Sequence, residues 1–429
     1  MRIYLVTFNF FAKNMIREVL IMANGKTLVY QLWPISWGGI KAMTLFLPRI
    51  AALGADYVWF SPIYTSPWKN HGYDVADYYT VDSRLGTMED VDEFIRTAHA
   101  LGLKVITDIV IDSTSVKHTW FLTEPHRYVW SKNRQPERIS YMDQSLAWTP
   151  YSDKFYLSLS HPEQADLNWF QGGVLNRALV ESFKSIMHFW LYKHDIDGFR
   201  INSVQSLNQS TFQGDVRFND SLIGKRAVQA VDELSNLYGG KTPFLMMDVI
   251  DPHYSKVTNY YAEETDVEFI TNRALKSSIG HGGLHEDDRA HAIDSLKKKI
   301  SKQVKCSKFM LDLESHEAQR FTSRSGLSGE EVLELMFQPK VQAICLYQGQ
   351  ELGLKNPTEQ ELPFLEMLNL DARAAAYMEK QAVSPESIRQ NARANARVPI
   401  PLDEYARQEE SENSTLAFAK NIIREWKKN

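Results

Sequence analysis

The chain has 429 residues, 44% of them hydrophobic and 12% aromatic, which is enough for one large core or two to three domains. Its formal net charge is −5, with acidic and basic residues interleaved, which argues against a nucleic-acid partner or a polybasic membrane surface. The two cysteines, Cys306 and Cys345, both stand in apolar runs. We therefore expect buried core thiols rather than a disulfide framework or a thiolate metal site, and a reducing cytoplasm.

The first 21 residues are apolar but are interrupted by charged side chains at Arg2, Lys13, Arg17 and Glu18. A transmembrane helix needs an uninterrupted apolar span of roughly 18 residues, which this segment lacks. A signal peptide would show a charged start, an apolar middle and a small-residue cleavage site, and that pattern is not clear here. We predict a poorly ordered extension over residues 1–25.

From residue 26 onward, β-rich apolar runs alternate with helical patterns, which is typical of parallel βα units. Eight strands are predicted, at Thr27–Trp33, Asp56–Ser61, Lys104–Val110, Ile196–Ile201, Pro243–Met247, Val267–Ile270, Ser307–Leu311 and Ala343–Tyr347. Helices are predicted at Ile40–Leu53, Met88–Leu101, Asn176–Lys193, Ser221–Leu237, His291–Val304, Gly329–Phe337 and Ser414–Lys427. Eight such units predict an α/β fold of the TIM (β/α)8 barrel type, with its chemistry at the C-terminal ends of the strands.

Residues 113–174 break this alternation and are rich in Tyr, Trp, Ser and Pro. We predict a small irregular subdomain inserted after the third strand, within a barrel formed by residues 26–112 and 175–429. Its aromatic residues either pack the subdomain itself or line a ligand site. Residues 353–412 form a second, largely polar excursion before the closing amphipathic helix.

The stretch Asp197–Asn202 contains the most informative strand end. Arg200 and Asn202 stand two residues apart at the end of the predicted strand Ile196–Ile201, so their side chains should point the same way. At the C-terminal end of a barrel strand, this places a permanent cation and a short amide in one cleft.

Further motifs occur at other predicted strand ends and loops. They are Val58–Tyr64, Gly72–Tyr78, Gly86–Asp90, Ala165–Trp169, Tyr347–Glu351 and Arg393–Pro399. In this order, and with Asp197–Arg200, they resemble the α-amylase family of glycoside hydrolases (family 13) over about residues 28–427. Within that family the chain is most similar to the oligo-1,6-glucosidase, trehalose-6-phosphate hydrolase and dextran glucosidase group. The resemblance implies a TIM barrel with a cleft for α-glucosides.

The resemblance also implies three catalytic positions, and each carries a substituted residue. The nucleophile aspartate falls on Asn202, and an amide cannot readily form the glycosyl ester of a retaining mechanism. The acid/base glutamate falls on Asp248, one methylene shorter, where a misplacement of about 1 Å can cost ~100-fold. The third carboxylate falls on Glu317. If the alignment register is shifted, Asp251 replaces Asp248 as the acid/base position, or Glu314 replaces Glu317 as the third carboxylate.

The substrate-binding positions implied by the resemblance are partly retained. An aspartate of the family falls on Asn70, and its imidazole after the third strand falls on Ser113. Retained positions are Tyr73, Asp74, Asp108, Arg200, His316 and Arg397. We expect no cofactor and no metal, because the acidic calcium loop of many relatives is missing after the first strand. We also expect no counterpart of the family's C-terminal β-sandwich in this sequence.

Three interpretations stay open. The first is an α-glucosidase-like protein that binds an α-linked disaccharide or oligosaccharide with impaired catalysis, and the concerted substitutions favour it. The second is an active retaining-type α-glucosidase or transglucosidase that hydrolyses short α-glucosides, or an enzyme that uses Asp248 and Glu317, with Asp112, in a rearranged or inverting way. The third is a non-carbohydrate scaffold on the same fold. We expect neither nucleic acid nor membrane as a partner, and a protein partner is unknown.

Overall fold

The structure is a computed structural model of the chain. It describes residues 25–132, 148–208, 211–212, 215–216, 224–237, 239–276, 279, 286–363, 366 and 384–429. The predicted extension over residues 1–25 lies almost wholly outside the described residues. The first residues of the predicted helix 221–237 and part of the polar excursion 353–412 lie outside them as well.

Eight parallel strands form a nearly closed barrel, which confirms the predicted fold class. They are β1 (Thr27–Leu32), β2 (Tyr57–Phe60), β3 (Lys104–Val110), β4 (Gly198–Asn202), β5 (Phe244–Val249), β6 (Phe269–Asn272), β7 (Met310–Leu311) and β8 (Ala343–Tyr347). Strand β1 pairs with both β2 and β8. An isolated parallel bridge between Ile270 and Phe309 brings β6 to the start of β7. Neighbouring strands are thus consecutive in the sequence, as the (β/α)8 pattern requires.

A helix follows each strand along the chain. These helices are α1 (Ile40–Leu53), α2 (Met88–Ala100), α3 (Arg177–His188), α4 (Lys225–Ser235), α5 (Lys256–Glu264), α6 (Glu286–Gln303), α7 (Gly329–Met336) and α8 (Thr415–Lys428). Helix α1 ends at Gly54, whose φ of 96° lies in the left-handed region that glycine adopts at no steric cost. Helix α2 begins with a capping box between Thr87 and Asp90.

Shorter helical segments connect these units. Short α-helices are Thr119–Thr123, Arg273–Lys276, Phe321–Ser325, Pro385–Asn391 and Leu402–Glu409. Single-turn 3₁₀ segments are Pro34–Trp37, Pro125–Arg127, Val204–Asn208, Gln350–Leu352 and Arg393–Ala396. A π-helical turn, Phe189–Lys193, continues α3, so the predicted helix Asn176–Lys193 divides into two segments.

Predicted strand bounds are correct within about three residues. The bounds of β3 and β8 match the prediction, whereas β4 extends to Asn202 and β7 is limited to Met310–Leu311. Strand β7 is short because β6 does not form a regular ladder with it. The two segments are joined by the isolated bridge between Ile270 and Phe309.

The insertion between β3 and α3 contains short antiparallel strands. They are Ser113–Ser115, Trp130–Ser131, Trp148–Tyr151, Lys154–Leu157, Gln164–Asp166, Phe170–Gln171 and Val174–Leu175. Two hydrogen bonds fix its return to the barrel: Leu167 N–H donates to Asp112 O at 2.8 Å, and Trp169 Nε1–H to Ile111 O at 2.6 Å. The insertion therefore packs on the C-terminal end of β3, and its bounds as a subdomain stay a prediction.

The barrel interior follows the two-residue period of its strands. One inward layer is apolar and forms a separate core cluster: Val29, Trp59, Ile106, Met246, Phe269, Met310, Ala343 and Cys345. Two residues beyond six of these inward positions, the side chains are polar: Gln31, Ser61, Asp108, Asp248, Thr271 and Asp312. On β4, Arg200 lies in register with Asp108 and Met246. The alternation thus places a polar layer directly above the apolar one.

Both cysteines are buried and free, as predicted. Among the described residues, no helix has the length and apolar character needed to cross a bilayer.

Candidate active site

Arg200 lies at the centre of the polar layer and joins three strands. Its Nη1 donates to Asp108 Oδ1 at 2.8 Å and to Asn202 Oδ1 at 2.5 Å. Its Nη2 lies 2.6 Å from Asp248 Oδ1. Burial disfavours the cation, but the Asp108 and Asp248 carboxylates outweigh it and raise the Arg200 pKa above its usual value. Arg200 is therefore a fixed positive charge that orients the side chains around it.

Asp248 is held between two guanidinium groups. Arg200 contacts Oδ1, and Nε of Arg273 pairs with Oδ2. The backbone N–H of Ser203 donates to Oδ1 at 3.4 Å. Burial raises the pKa of this carboxyl group, but Arg200 and Arg273 outweigh burial and leave the pKa below its usual value. Asp248 therefore carries a negative charge and no proton at neutral pH.

Asn202 presents its carbonyl oxygen to the same two cations. Its Oδ1 accepts from Arg200 Nη1 and, at 3.3 Å, from Arg273 Nη2. Its Nδ2 donates to Ser203 Oγ at 3.1 Å. The amide is thus oriented by hydrogen bonds on both sides, with no anionic oxygen for attack on a sugar.

Tyr73 and His316 form a second group beside Asp108. The Tyr73 hydroxyl donates to Asp108 Oδ2 at 2.8 Å and pairs with His316 Nε2 at 2.8 Å. The two rings stack with centroids 5.6 Å apart. Gln31 Nε2 pairs with His316 Nδ1 at 2.8 Å, so the ring accepts there and donates from Nε2. Burial lowers the His316 pKa to about 4, so the ring is neutral near pH 7.

Glu317 lies at the more open side of the site, with 35% of its side chain exposed. Its Oε1 lies 3.1 Å from His316 Nε2 and 3.6 Å from Arg397 Nη2. Its Oε2 lies 3.6 Å from Arg393 Nη1. Burial opposes the charge, but the His316 hydrogen bond and Arg393 outweigh it and hold the pKa well below its usual value. Glu317 is a fixed negative charge at the rim.

Arg397 braces His316 from behind. Its Nε donates to the backbone oxygen of His316 at 2.9 Å. Its guanidinium lies 4.8 Å from the centre of the Trp33 ring, and Trp33 stacks on His316 at 4.6 Å. The imidazole is therefore clamped between two aromatic rings, which fixes the direction of its nitrogen atoms.

Asn70 and Ser113 are connected through one glutamine. Asn70 Nδ2 donates to Gln164 Oε1 at 2.8 Å, and Gln164 Nε2 donates to Ser113 Oγ at 2.8 Å. The same Nε2 donates to the backbone oxygen of Tyr73 at 3.0 Å. Sequence reasoning missed Gln164, although it immediately precedes the recognised stretch 165–169. The structure brings Asn70, Ser113 and Tyr73 together through this side chain.

Asp74 is placed differently from the other predicted site residues. Its carboxylate accepts from Ser66 Oγ at 2.8 Å, from Lys69 N–H at 2.8 Å and from Asn70 N–H at 2.9 Å. These bonds all lie within the loop before Tyr73. Asp74 therefore shapes the loop that carries Asn70 and Tyr73, rather than joining the cluster around Arg200.

Lys276 and Asp312 extend the polar layer and were missed by sequence reasoning. Lys276 Nζ forms an ion pair with Asp312 Oδ2. Burial raises the Asp312 pKa to about 6, although Lys276 opposes that shift. Asp312 could have been found, because it stands two residues beyond the inward-facing Met310. Arg273 and Lys276 follow β6 and offered no sequence signal.

With this geometry established, comparison with known proteins identifies the family. The profile described as the alpha amylase catalytic domain matches residues 18–413. The chain belongs to the alpha-amylase family. The oligo-1,6-glucosidase of Bacillus cereus is 26% identical over 433 residues, covering 88% of this chain and 75% of that protein. The trehalose-6-phosphate hydrolase of Escherichia coli (strain K12) is 27% identical over 386 residues, covering 77% and 65%. The chain thus spans between about two thirds and three quarters of these relatives.

Solved structures of the alpha-amylase family share the fold. The crystal structure of Bacillus licheniformis trehalose-6-phosphate hydrolase superposes with a TM-score of 0.77 at 22% identity, covering 94% of this chain and 84% of that one. A mutant of MutB in complex with the substrate sucrose superposes with a TM-score of 0.78 at 18% identity, with the same coverage. At these identities the likeness supports the fold alone.

Asp251 and Glu314, the alternatives to Asp248 and Glu317 in this alpha-amylase-family chain, are both held by hydrogen bonds outside the Arg200 cluster. Asp251 Oδ2 accepts from the N–H groups of Val257 and Thr258 at 3.0 and 2.9 Å, at the start of α5. Glu314 Oε1 accepts from Arg320 Nη1 at 2.6 Å. Asp248, in contrast, lies in the Arg200 cluster. This placement favours Asp248 over Asp251, and Glu317 over Glu314, as the family's acidic positions, and their roles stay a prediction.

A small cavity lies beside the end of β3. Its volume is about 10 Å³, and its lining includes Asp112, Asp166, Asn168 and Ser206. A cavity of this size holds about one water molecule. Burial raises the Asp112 pKa to about 6 and the Asp166 pKa well above its usual value. Within the described ranges, no group of three His, Cys, Asp or Glu side chains is arranged for a metal ion.

Proposed function

We propose that this alpha-amylase-family protein is an α-glucosidase-like pseudoenzyme. It binds a short α-linked disaccharide or oligosaccharide at the C-terminal strand ends and turns it over far more slowly than an enzyme with the full set of carboxylates. The observation that carries this proposal is the pair at positions 202 and 248. Asn202 supplies an amide in place of a nucleophile, and Asp248 is held as a carboxylate by Arg200 and Arg273.

The first step of a retaining mechanism needs two groups that this pair does not supply. The first step needs an anionic oxygen to attack the anomeric carbon, and the Asn202 amide lacks one. The same step needs a proton for the leaving oxygen, and the lowered pKa of Asp248 leaves no proton to give at neutral pH. Loss of one member of a catalytic unit can cost on the order of 10⁴- to 10⁶-fold in kcat.

The binding half of the proposal is supported by the retained frame. Tyr73, Asp108, His316 and Glu317 present a phenol, two carboxylates and a neutral imidazole, and their side chains are oriented by hydrogen bonds. Convergent polar groups with aromatic surface suit the hydroxyls and apolar face of a sugar. The relatives described above are named oligo-1,6-glucosidase and trehalose-6-phosphate hydrolase, which supports a glucoside as ligand.

The test pairs turnover with binding. The wild type is incubated with p-nitrophenyl α-glucoside, isomaltose, trehalose 6-phosphate and sucrose, and binding of the three natural sugars is measured by calorimetry. We expect binding of at least one sugar, with glucose release close to the buffer rate. Asn202→Asp should raise turnover, whereas Asn421→Asp on the exposed side of α8 should not. Glucose release by the wild type that disappears in Asp248→Ala would instead favour an active enzyme.

Absence of both binding and turnover would favour the third interpretation, a non-carbohydrate scaffold. The fold alone does not distinguish these functions, because TIM barrels host many unrelated ones. Calorimetry on a well-folded sample therefore decides between the first interpretation and the third.

One observation supports the second interpretation, an active enzyme. Burial raises the Asp112 pKa to about 6, so this carboxyl group retains some proton near neutral pH. With Glu317 as a base for water, Asp112 could serve as the acid of an inverting route, which needs about 6.5–9.5 Å between the two carboxyl groups. NMR detection of β-glucose as the first product from an α-glucoside would show inversion at the anomeric carbon. Loss of this product in Asp112→Asn would establish the route.

We also propose a cytoplasmic location. The chain has two cysteines, and both are free and buried. Such usage suits a reducing compartment. Expression of a tagged full-length chain followed by cell fractionation would test this.

A further inference from the structure

Arg273 is the first residue beyond β6, and its backbone is held in place by its neighbour. The side chain of Asn272 accepts from Asp251 N–H at 2.9 Å and from Ala274 N–H at 3.0 Å. Its Nδ2 donates to Asp251 O at 3.0 Å. The chain therefore leaves the barrel at a defined angle, and Arg273 begins a short helical turn at the C-terminal face of the barrel.

From this position the Arg273 side chain crosses two strands. Its Nε pairs with Asp248 on β5, and its Nη2 donates to Asn202 on β4 at 3.3 Å. The same Nη2 lies 3.5 Å from Ser203 Oγ. One guanidinium thus contacts both residues that occupy the family's nucleophile and acid/base positions.

We propose that Arg273 is a specificity-determining residue that occupies the reaction centre with its own cation, so that a sugar reaches positions 202 and 248 only when the guanidinium moves away. This inference rests on the proposed function of the cleft. In a retaining glycosidase the two catalytic groups lie about 5–5.5 Å apart, with the anomeric carbon between them. A guanidinium in contact with Asn202 and Asp248 takes that space.

The charge of Arg273 has the same consequence as its volume. Glycoside cleavage develops positive charge at the anomeric carbon, and the site stabilises it with negative groups. Arg273 places a permanent positive charge at this point and neutralises Asp248. A sugar with partial positive charge at this point is therefore repelled while the guanidinium remains in place.

The surroundings permit Arg273 to move. Its side chain is 34% exposed, whereas that of Asp248 is 2% exposed. When Arg273 turns toward solvent, Asp248 still pairs with Arg200 at 2.6 Å. Displacement therefore does not leave a buried carboxylate without a partner, which would be the costly outcome.

The test measures ligand affinity in the full chain. The probes are 1-deoxynojirimycin, which carries a positive charge at the sugar ring, and neutral isomaltose. The variants are Arg273→Ala and Arg273→Gln, with Arg177→Ala as a matched control. Arg177 pairs with Glu233 at 2.6 Å on the outer helices and is 62% exposed. Calorimetry gives the affinities, and thermal unfolding shows that each variant is folded.

We expect Arg273→Ala to bind both probes more tightly than the wild type by about tenfold or more. The gain should be larger for 1-deoxynojirimycin, because its charge competes with the guanidinium. Arg273→Gln should show a smaller gain, and Arg177→Ala none. If Arg273→Ala does not fold, Arg273→Gln alone decides. Tighter binding supports the proposal, because removal of a purely structural residue would not improve sugar binding. Equal or weaker binding in a folded Arg273 variant overturns it, because the guanidinium would then not compete with the sugar.

A second readout uses catalysis. In an Asn202→Asp background, removing Arg273 should raise kcat, because the new carboxylate then faces an open reaction centre. An unchanged kcat in Asn202→Asp/Arg273→Ala, with turnover detectable in both, would overturn the inference.

The two proposals fail in different ways. If the wild type binds isomaltose as tightly as Arg273→Ala, the inference on Arg273 fails and the proposed glucoside site remains. If neither the wild type nor any folded Arg273 variant binds a sugar, the proposed function fails, and the inference fails with it.

Discussion

The two sides of the candidate active site differ in what holds their side chains. On one side, Tyr73, Asp108 and His316 form a frame of hydrogen bonds and stacked rings, with Glu317 at its rim. On the other side, Asn202 and Asp248 are held by guanidinium groups. The first side presents polar groups of the kind that bind sugar hydroxyls. On the second side an amide accepts from Arg200 and Arg273, and the same two guanidinium groups neutralise the Asp248 carboxylate.

Under the proposed function, this difference would make binding geometry and reactivity depend on separate residues of one barrel. The frame comes mainly from β1, β3 and the loops after β2 and β7, whereas the clamped pair comes from β4, β5 and the turn after β6. Arg200 belongs to both sides, because it contacts Asp108 as well as Asn202 and Asp248. The predictions below act on the shared residue first and then on each side.

Arg200→Gln should have the largest effect on stability. It leaves Asp108 without its cation and removes one of the two guanidiniums at Asp248, both buried carboxylates. We expect the free energy of unfolding to fall by about 3–5 kcal/mol. Chemical denaturation measures this change. Arg177→Gln, which breaks an exposed pair, should lower it by less than about 1 kcal/mol. Similar losses in both variants would contradict the central position of Arg200.

Asp312→Asn should change the pH dependence of stability. The folded-state pKa of Asp312 is about 6, above its unfolded value, so the folded protein retains a proton that the unfolded chain releases. Stability from this group is present below pH ~4 and is lost as pH rises to about 6, with a total of about 3 kcal/mol. Relative to the variant, the wild type should therefore weaken over this window. Parallel stability curves for the two proteins from about pH 4 to 6.5 would contradict this.

Tyr73→Phe tests the frame side. It removes a buried hydroxyl that bonds Asp108 and His316, and it leaves the stacked rings in place. We expect a loss of roughly 1–3 kcal/mol in unfolding free energy and weaker isomaltose binding. Tyr79→Phe serves as the control, because Tyr79 is 43% exposed. Unchanged isomaltose affinity in Tyr73→Phe would show that the Tyr73 hydroxyl does not contribute to sugar binding.

Glu317→Gln should have the smallest effect on stability. Its side chain is partly exposed, its two arginine contacts are 3.6 Å long, and the carbonyl oxygen of a glutamine can still accept from His316 Nε2. We expect less than about 1 kcal/mol of change in unfolding free energy. Binding of the cationic probe 1-deoxynojirimycin should weaken more than binding of isomaltose, because a negative charge is lost. Calorimetry with both probes checks this, and an equal change for both would exclude an electrostatic role.

Most of the barrel could be predicted from the sequence. The β-rich apolar runs gave the eight strands, and the helical pattern ended by Gly54 gave the bounds of α1, because these signals are local. The Gly198–Arg200 stretch fixed the register of β4, so Asn202 was placed at the strand end correctly. The short β7 was overestimated, since its pairing depends on how closely β6 approaches.

The site could be predicted in part. Arg200 follows from strand periodicity, because inward positions alternate along the chain, whereas Asp108 and Asp248 follow from the family resemblance. Gln164 and Arg273 could not be predicted in the same way. Gln164 acts from an irregular insertion, and Arg273 reaches across two strands with a long side chain. Their contacts depend on loop paths that no local pattern specifies.

The amino-acid sequence by itself determined the βα order, the family resemblance and the residue types at the strand ends, including an amide at position 202. These properties depend on local periodicity and on residue identity. The tertiary structure alone decided that Arg200 and Arg273 share Asp248, and that Arg273 also contacts Asn202. Closing the barrel brings β4, β5 and the turn after β6 together, and only this proximity sets the charge state and the occupancy of the site.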